Sequence, residues 1–428
     1  MAATDQRRRG SRTADALDYA ASPAAGHGAG TAGWVALGLL VAYLAAMIAV
    51  AILLHVAGVS MRGNETTWDR AVFTSVNAAS LTGFQQTVGI REMSAAGWRG
   101  PAVLLGLTFA GSLMSLILGG LAAARVLGMP HTAGQIVWAA VSTVLLTTVA
   151  GAAALSGAGR TIFEAVFQSA SGFANSGLWL GQAPSITSAA VFLVLLPLAE
   201  LGGLGLPVLI EATDRIFGGP PLSRHSRTVL TLTGWFYLGA LIVLVVAQTP
   251  VALDGGWVAW RNTLCSCSAA AINTRSAGLP IQSPAAFTAA GQWLLMLLML
   301  IGAAPAGTAA GLKTTTLLQL GRGVRDALQG RTPQRVAGIA AVWAGSYLLA
   351  LFIGVLLLVS IEPQTQADRL LFLACSALGN VGLSHDPVSN TGPGLLVLSG
   401  LMLFGRLGPL AILWWTAGAD SGADVLVG

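Results

Sequence analysis

The sequence predicts an all-α integral membrane protein, with eight transmembrane helices in four repeats of helix, pore loop, helix and pseudo-fourfold symmetry around one pore. Three observations carry that prediction. Of the 428 residues, 54% are hydrophobic and 9% charged, with a mean hydropathy of +0.73, whereas a soluble chain carries about a quarter charged residues. Eight long apolar runs follow one another, at 34–59, 101–127, 134–157, 186–213, 228–249, 284–301 with a continuation beyond, 336–360 and 393–416. Four short segments ending in glycine recur between them: Ser80-Leu81-Thr82-Gly83, Ala174-Asn175-Ser176-Gly177, Arg275-Ser276-Ala277-Gly278 and Gly379-Asn380-Val381-Gly382. Their glycines are separated by 94, 101 and 104 residues. A ring of backbone carbonyls around an axis needs several equivalent strands, and a fourfold repeat in one chain supplies them.

Taken in order, residues 1–32 read as a cytoplasmic tail, with Arg7, Arg8, Arg9 and Arg12 followed by Ala- and Gly-rich sequence. The apolar run beginning at Trp34 is too long for the core of a cleavable leader. Pore repeat 1 then occupies 33–130, repeat 2 131–222, repeat 3 223–332 with a broken second helix, and repeat 4 333–418, leaving 419–428 as a C-terminal tail. Each long run covers the roughly 30 Å of hydrocarbon as a helix, the form that satisfies its own backbone polar groups there. Shorter, less apolar stretches near 68–82, 161–174, 257–273 and 367–378 read as half-length pore helices entering from one side.

The net charge of +5 is dispersed around apolar spans and makes no basic face for nucleic acid, so the arginines are topology signals. With the N-terminus inside, twelve arginines share the cytoplasm: the four of the tail, Arg125, Arg215, Arg224, Arg227, Arg322, Arg325, Arg331 and Arg335. Eight lie opposite: Arg62, Arg70, Arg91, Arg99, Arg160, Arg261, Arg275 and Arg369. That bias puts all four glycine segments on the outer side.

Enzyme chemistry has little to build on. Cys265 and Cys267 point in different directions on a helix, and with Cys375 they read as small apolar residues packing the pore helices. His27, His55, His131, His225 and His385 match no metal spacing. There is no Walker loop and no strand-linked GxGxxG, so nucleotide sensing falls to a partner chain.

The glycine segments carry the chemistry. A potassium ion sheds its hydration water only where fixed oxygens replace it, and glycine lets a chain run along a crowded axis at positive φ. Gly83, Gly177, Gly278 and Gly382 are the candidates for the innermost positions. The half-helices point their carboxyl ends at the axis and add partial negative charge.

These residues carry a resemblance. The chain resembles pore-forming subunits of the Trk/Ktr/HKT superfamily of potassium transporters, through Leu81-Thr82-Gly83-Phe84, Phe173-Ala174-Asn175-Ser176-Gly177, Asn273-Thr274-Arg275-Ser276-Ala277-Gly278 and Ser376-Ala377-Leu378-Gly379-Asn380-Val381-Gly382-Leu383-Ser384. Gly202-Gly203-Leu204-Gly205-Leu206-Pro207, Leu222-Ser223-Arg224-His225-Ser226 and Gly405-Arg406-Leu407-Gly408-Pro409-Leu410 extend it over nearly the whole chain beyond the tail. The length is similar to the bacterial Ktr-type branch. The resemblance implies a multi-pass protein of the bacterial inner membrane that takes up K+, held at the filter backbone alone. It also implies a homodimer bound to a cytosolic nucleotide-binding regulatory ring. Sodium is a candidate coupling ion, and no cofactor is implied. In plant members a serine at the first filter glycine goes with sodium transport, and this chain retains Gly83. It departs from the family pattern at Leu178 and at Leu279-Pro280, where an aromatic residue is common.

A second site lies in the sixth apolar run. Gly302, Gly307 and Gly311 together with Pro305 argue against a continuous helix there, and non-helical backbone at membrane depth must face protein or a water-filled cavity. Through Gly311-Leu312-Lys313-Thr314-Thr315-Thr316, the resemblance implies an intramembrane gating loop that includes Thr308. Lys313 is the one lysine of the chain, and a charge at that depth needs a reason. The matching arginine of relatives contacts the loop, so Arg406 is expected to hold it closed while Lys313 anchors its cytoplasmic end; for Lys313 the alternative is snorkelling. Glu200 is a carboxylate in a span with no sequence neighbour, either paired in the cavity or at a solvated helix end.

Two other readings of the same sequence are a sodium-permeable or Na+/H+-coupled symporter of this family and, in a different class, a secondary transporter with a midplane solute site. The latter usually shows two inverted halves, whereas here four parallel units recur.

Overall fold

The computed structural model describes residues 24–56, 67–84, 98–157, 159–253, 255–385, 392–418 and 425–427. The tail up to residue 23, Arg62, Arg91 and most of the C-terminal tail lie outside them. The chain divides into two units, Met1–Ala42 and Tyr43–Gly428. Helix α1, Ala24–Val56, begins in the first unit, earlier than the predicted end of the tail, and every later element belongs to the second.

Every regular element among the described residues is helical, apart from one bridge between Ile301 and Leu312. The short half-helices fall where expected: α2, Trp68–Ala79; α5, Ile162–Ala174; α9, Gly256–Ile272; and α13, Ala367–Leu378. The long helices α3, Arg99–Leu127, α4, Ala133–Ser156, α8, Arg224–Leu253, α12, Arg335–Ile361 and α14, Pro393–Gly418 join α1 as six helices long and apolar enough to cross a membrane. Local chemistry fixes several ends. The starts of α4 and α5 carry reciprocal capping boxes, Thr132 with Gln135 and Thr161 with Glu164, satisfying amides the first turn leaves open.

Two of the expected spans are not straight helices. The run at 186–213 enters through a π-helical turn, Val191–Leu195, continues as α6, Leu196–Leu204, and bends by 106° at Gly205 into α7, Leu206–Ile216. Gly205 takes φ +89°, and a Cβ there would meet the Pro305 carbonyl oxygen at 2.3 Å, so the bend rests on a residue without a side chain. Hydropathy alone does not register such a bend, because both arms are apolar. The run at 284–301 gives only α10, Ala289–Leu300, and resumes as α11, Thr314–Leu328, after the predicted break.

The elements close into a cycle. Helix α3 packs on α5, α6 on α9, α10 on α13, and α14 on α2, so each second helix covers the half-helix of the next quarter and the last covers the first. Cys267 and Cys375 are buried, on α9 and α13, and Cys265 on α9 is half-buried.

Candidate functional site: a ring of glycine segments backed by a buried loop

All four glycine segments, Ser80 to Gly83, Ala174 to Gly177, Arg275 to Gly278 and Gly379 to Gly382, are buried and meet in that cyclic order. A Cβ built on Gly83 would lie 1.9 Å from the Ser176 carbonyl oxygen, and one on Gly177 2.7 Å from that of Gly278. From Gly278 it would reach the Val381 oxygen at 1.7 Å, and from Gly382 the Thr82 oxygen at 2.0 Å. The backbones therefore touch around a closed ring, and no side chain fits at the four contact points.

The backbone conformation repeats as well. The glycines have φ of +84°, +65°, +60° and +78°, and the residue two positions before each, Leu81, Asn175, Ser276 and Asn380, is also left-handed. Non-glycine residues rarely adopt that conformation. Two left-handed residues in alternation turn the chain out of the half-helix. Each segment closes on its half-helix through a backbone bond to the carbonyl five residues earlier, Thr82 N–H to Asn77 O, Ser176 N–H to Ser171 O, Gly278 N–H to Asn273 O and Val381 N–H to Ser376 O.

Side chains tie the segments down from behind. Asn380 Nδ2 donates to Thr82 Oγ1 at 2.8 Å and to the Met402 carbonyl at 2.9 Å. Asn175 Nδ2 donates to Thr308 Oγ1 and to the Ala199 carbonyl, both at 2.9 Å. Ser276 Oγ donates to the Asn380 carbonyl at 3.0 Å. Leu81 packs on Gly111 of α3. Of the sixteen segment residues singled out from sequence, these side chains and that of Arg275 are committed to neighbours, and so are the carbonyls of Ser80, Leu81 and Asn380.

Arg275 corrects its topology reading. Counted among outer-side arginines, it is only 4% exposed, and its Nη1 lies 3.5 Å from Oε1 of Glu200 on α6. Glu200 thus has a partner within the membrane span, on the third glycine segment.

The predicted break is the second half of the site. Every residue from Gly302 to Lys313 is buried. Gly302 N–H donates to the Leu312 carbonyl at 2.9 Å and Leu312 N–H to that of Leu300 at 3.1 Å, pinching the loop at its base. Its backbone is satisfied by the other break in the fold: Ala304 N–H donates to Gly203 O at 3.0 Å, Thr308 N–H to Gly202 O at 2.9 Å, and Leu206 N–H to Ala306 O at 2.9 Å. Two interrupted helices complete each other's hydrogen bonds, which makes non-helical backbone tolerable at this depth. Sequence reasoning misses this pairing of Gly202–Gly205 with the loop, although the glycine cluster at 202–205 is its signal.

Arg406 joins loop and ring. Only 2% exposed, it donates from Nε to the Ser80 carbonyl at 2.7 Å, from Nη1 to the Thr308 carbonyl, and from Nη2 to the Leu81 carbonyl at 3.5 Å. Thr308 Oγ1 also donates to the Phe173 carbonyl at 3.0 Å, behind the second segment. Ala310 N–H donates to Ser276 Oγ at 3.1 Å, behind the third. Lys313 Nζ folds back onto the Ala309 carbonyl, so its charge is held within the loop and does not snorkel.

Residues 269–419 match the TrkH family model, described as a cation transport protein. The backbone as a whole superposes on the potassium transporter TrkH of Vibrio parahaemolyticus with a TM-score of 0.67, covering 89% of this chain and 83% of that one at 19% identity. The family-model match is confined to residues 269–419, and at 19% identity the likeness to TrkH is a likeness of fold. Among similar proteins, the potassium/sodium uptake protein NtpJ of Enterococcus hirae is 29% identical over 62% of this chain and 64% of its own length. The Ktr system potassium uptake protein B of Bacillus subtilis is 28% identical over 59% of each chain. The chain spans less than two thirds of the length of the curated relatives it matches.

Proposed function

We propose that this chain is the pore subunit of a bacterial potassium uptake system, with the four glycine segments as its selectivity filter and the 302–313 loop as its gate. The observation that carries this reading is the closed ring of four positive-φ glycines at mutual backbone contact. Carbonyls from such a ring replace the hydration shell of a monovalent cation without introducing full charge. No carboxylate or thiolate among the sixteen segment residues competes with those carbonyls for the ion.

In this reading an ion dehydrates among carbonyls of residues 80–83, 174–177, 275–278 and 379–382, other than those of Ser80, Leu81 and Asn380, which accept from Arg406 and Ser276, and meets the loop below. Arg406 couples the two, because one guanidinium holds both the first segment and Thr308. Two buried cations, Arg406 and Lys313, sit on consecutive loop carbonyls, those of Thr308 and Ala309, and raise the electrostatic barrier until the loop moves. Membrane potential drives inward flow, with sodium as the candidate coupling ion. The naming of three relatives as Ktr system potassium uptake proteins supports potassium as cargo; residence in the inner membrane with a cytoplasmic N-terminus, and assembly as a homodimer on a nucleotide-binding regulatory ring, complete the reading through the resemblance of the sequence motifs.

The test is uptake by the chain in a potassium-requiring host at low potassium, followed by rubidium flux in liposomes. Growth rescue and competition of rubidium with potassium are the expected results. Free permeation of sodium with no competition by rubidium overturns the assignment.

A further inference from the structure

Four arginines converge on one cavity of about 420 Å³: Arg224 at the start of α8, Arg322 and Arg325 on α11, and Arg331 in the turn after it, with Asp326 as the acidic residue in the lining. A positive-inside bias accounts for the side on which they lie. It does not account for guanidinium groups from separate chain segments sharing a single space. Charges that share a cavity of this size repel over distances comparable to the roughly 8 Å screening length at physiological ionic strength, and a bound anion relieves that repulsion.

The chemistry of the lining selects the anion. Guanidinium forks match phosphate oxygens with paired, charge-assisted hydrogen bonds, and the volume falls within the roughly 300–1,000 Å³ of small-ligand sites. We propose that this cavity binds a phosphate-bearing anion, supplied either by the headgroup of an anionic phospholipid or by a soluble phosphate compound.

Its place in the fold gives such binding a consequence. Helix α11 starts at Thr314, directly after Lys313, so an anion held by Arg322 and Arg325 is tied through one helix to the end of the buried loop. The cavity is also lined by Val425, and the neighbouring Leu426 is fully buried in a cluster with Ala306 at the middle of the loop. Both walls therefore lead to the same segment. On the other face of α11, Val324 and Leu328 lie one turn apart and are 59% and 83% exposed. A helix with an apolar face and an arginine face suits the membrane surface, where phosphate headgroups are concentrated. The binding claim stands apart from the potassium reading; only the effect on flux rests on it.

The experiment uses the full chain in phosphatidylcholine nanodiscs, with thermal unfolding followed by tryptophan fluorescence. Pyrophosphate is titrated in one arm, and phosphatidylglycerol replaces part of the lipid in the other. A saturable rise in the unfolding temperature is expected in at least one arm. A rise with pyrophosphate assigns a soluble phosphate, and a rise with phosphatidylglycerol alone assigns a headgroup. In R322Q/R325Q the apparent affinity weakens about tenfold or more, as expected for loss of charge-assisted bonds, while Arg261→Gln, an exposed arginine outside the cavity, leaves it unchanged. Both substituted side chains are exposed, and Arg331→Gln provides a second variant with the same expected direction. No rise in either arm, or a rise undiminished in R322Q/R325Q, overturns the proposal. Rubidium flux in the same nanodisc lipids, reconstituted as liposomes, then reads the consequence: the ligand that stabilises wild type changes flux in wild type and not in R322Q/R325Q. Loss of flux with binding intact falls on the potassium reading instead.

Discussion

Glu200 and Arg275 face each other at 3.5 Å, a carboxylate of α6 against a guanidinium of the third glycine segment, with the arginine side chain 3% exposed. Removing one member of a buried pair leaves the other charge uncompensated, which costs about 3–5 kcal/mol. Glu200 also sits two residues before Gly202, whose carbonyl accepts from Thr308 of the loop. The pair therefore ties the third segment to the helix that holds the loop.

Glu200→Gln and Arg275→Gln are each expected to lower the unfolding temperature and to broaden selectivity toward sodium, and the double variant to recover part of the loss. A double-mutant cycle on thermal unfolding and on the rubidium-to-sodium flux ratio measures the coupling. Strictly additive effects would show that the pair contributes nothing to the segment's position.

The ring glycines make a steric prediction. With a Val381 oxygen 1.7 Å from where its Cβ would stand, Gly278 cannot become alanine without moving two segments apart, and φ of +60° adds strain. Gly278→Ala and Gly382→Ala are expected to reduce potassium flux at least about tenfold, the consequence of disturbing a carbonyl cage by a few tenths of an ångström or more. Gly134→Ala is the control, since nothing lies within 4 Å of that position, and it should raise helix stability by up to about 1 kcal/mol. Wild-type flux from Gly278→Ala would sink the filter assignment.

Arg406 makes the prediction for the gate. Arg406→Ala removes three donors to Ser80, Leu81 and Thr308, freeing the loop; Ser80 O keeps the Asn380 amide, while a buried carbonyl left unpaired costs about 1–3 kcal/mol. The expected outcome is a raised basal rubidium leak together with a lower unfolding temperature. Arg406→Lys separates the two effects, because it keeps the charge and loses the fork that spans ring and loop; it should leak with a smaller stability loss. Tight, wild-type-like flux in both variants would rule out a gating role.

How much of the fold and site is legible in the sequence depends on the range of each interaction. The half-helices and long spans are local: apolar runs and caps such as Thr132 and Thr161 delimit them within a few residues. The four glycine segments are legible because a backbone ring excludes side chains, which leaves a compositional mark at Gly83, Gly177, Gly278 and Gly382. The break at Gly302 to Lys313 is marked in the same way. What the sequence does not carry is pairing. Nothing local joins Glu200 to Arg275 or Gly202 to Thr308, because these contacts depend on which quarter packs against which. The 106° bend at Gly205 is silent for the same reason: its cause is the Pro305 carbonyl, about a hundred residues away in the chain.

In the first and third quarters an asparagine of the half-helix holds the segment, and this gives a last prediction. Asn77 clasps Phe84, accepting from its N–H at 2.9 Å and donating to its carbonyl at 2.8 Å. Asn273 clasps Leu279 in the same way, at 2.7 and 2.8 Å. Both amides therefore fix the residue directly after a ring glycine, in the first and third segments, which lie opposite one another in the cycle. In the second segment the bond is a shorter-range one, Ser171 Oγ to Ser176 Oγ at 3.0 Å. Each clasp satisfies one buried donor and one buried acceptor, so Asn77→Ala and Asn273→Ala should each cost about 1–3 kcal/mol in stability. Because the freed groups flank the ring, selectivity should suffer as well as stability. Asn77→Asp keeps the acceptor for Phe84 N–H but removes the donor, and it should fall between wild type and Asn77→Ala in the rubidium-to-sodium flux ratio measured in liposomes. A ratio unmoved by either alanine substitution, with unfolding temperature lowered, would reduce the clasps to folding elements and leave the shape of the ring to its backbone contacts alone.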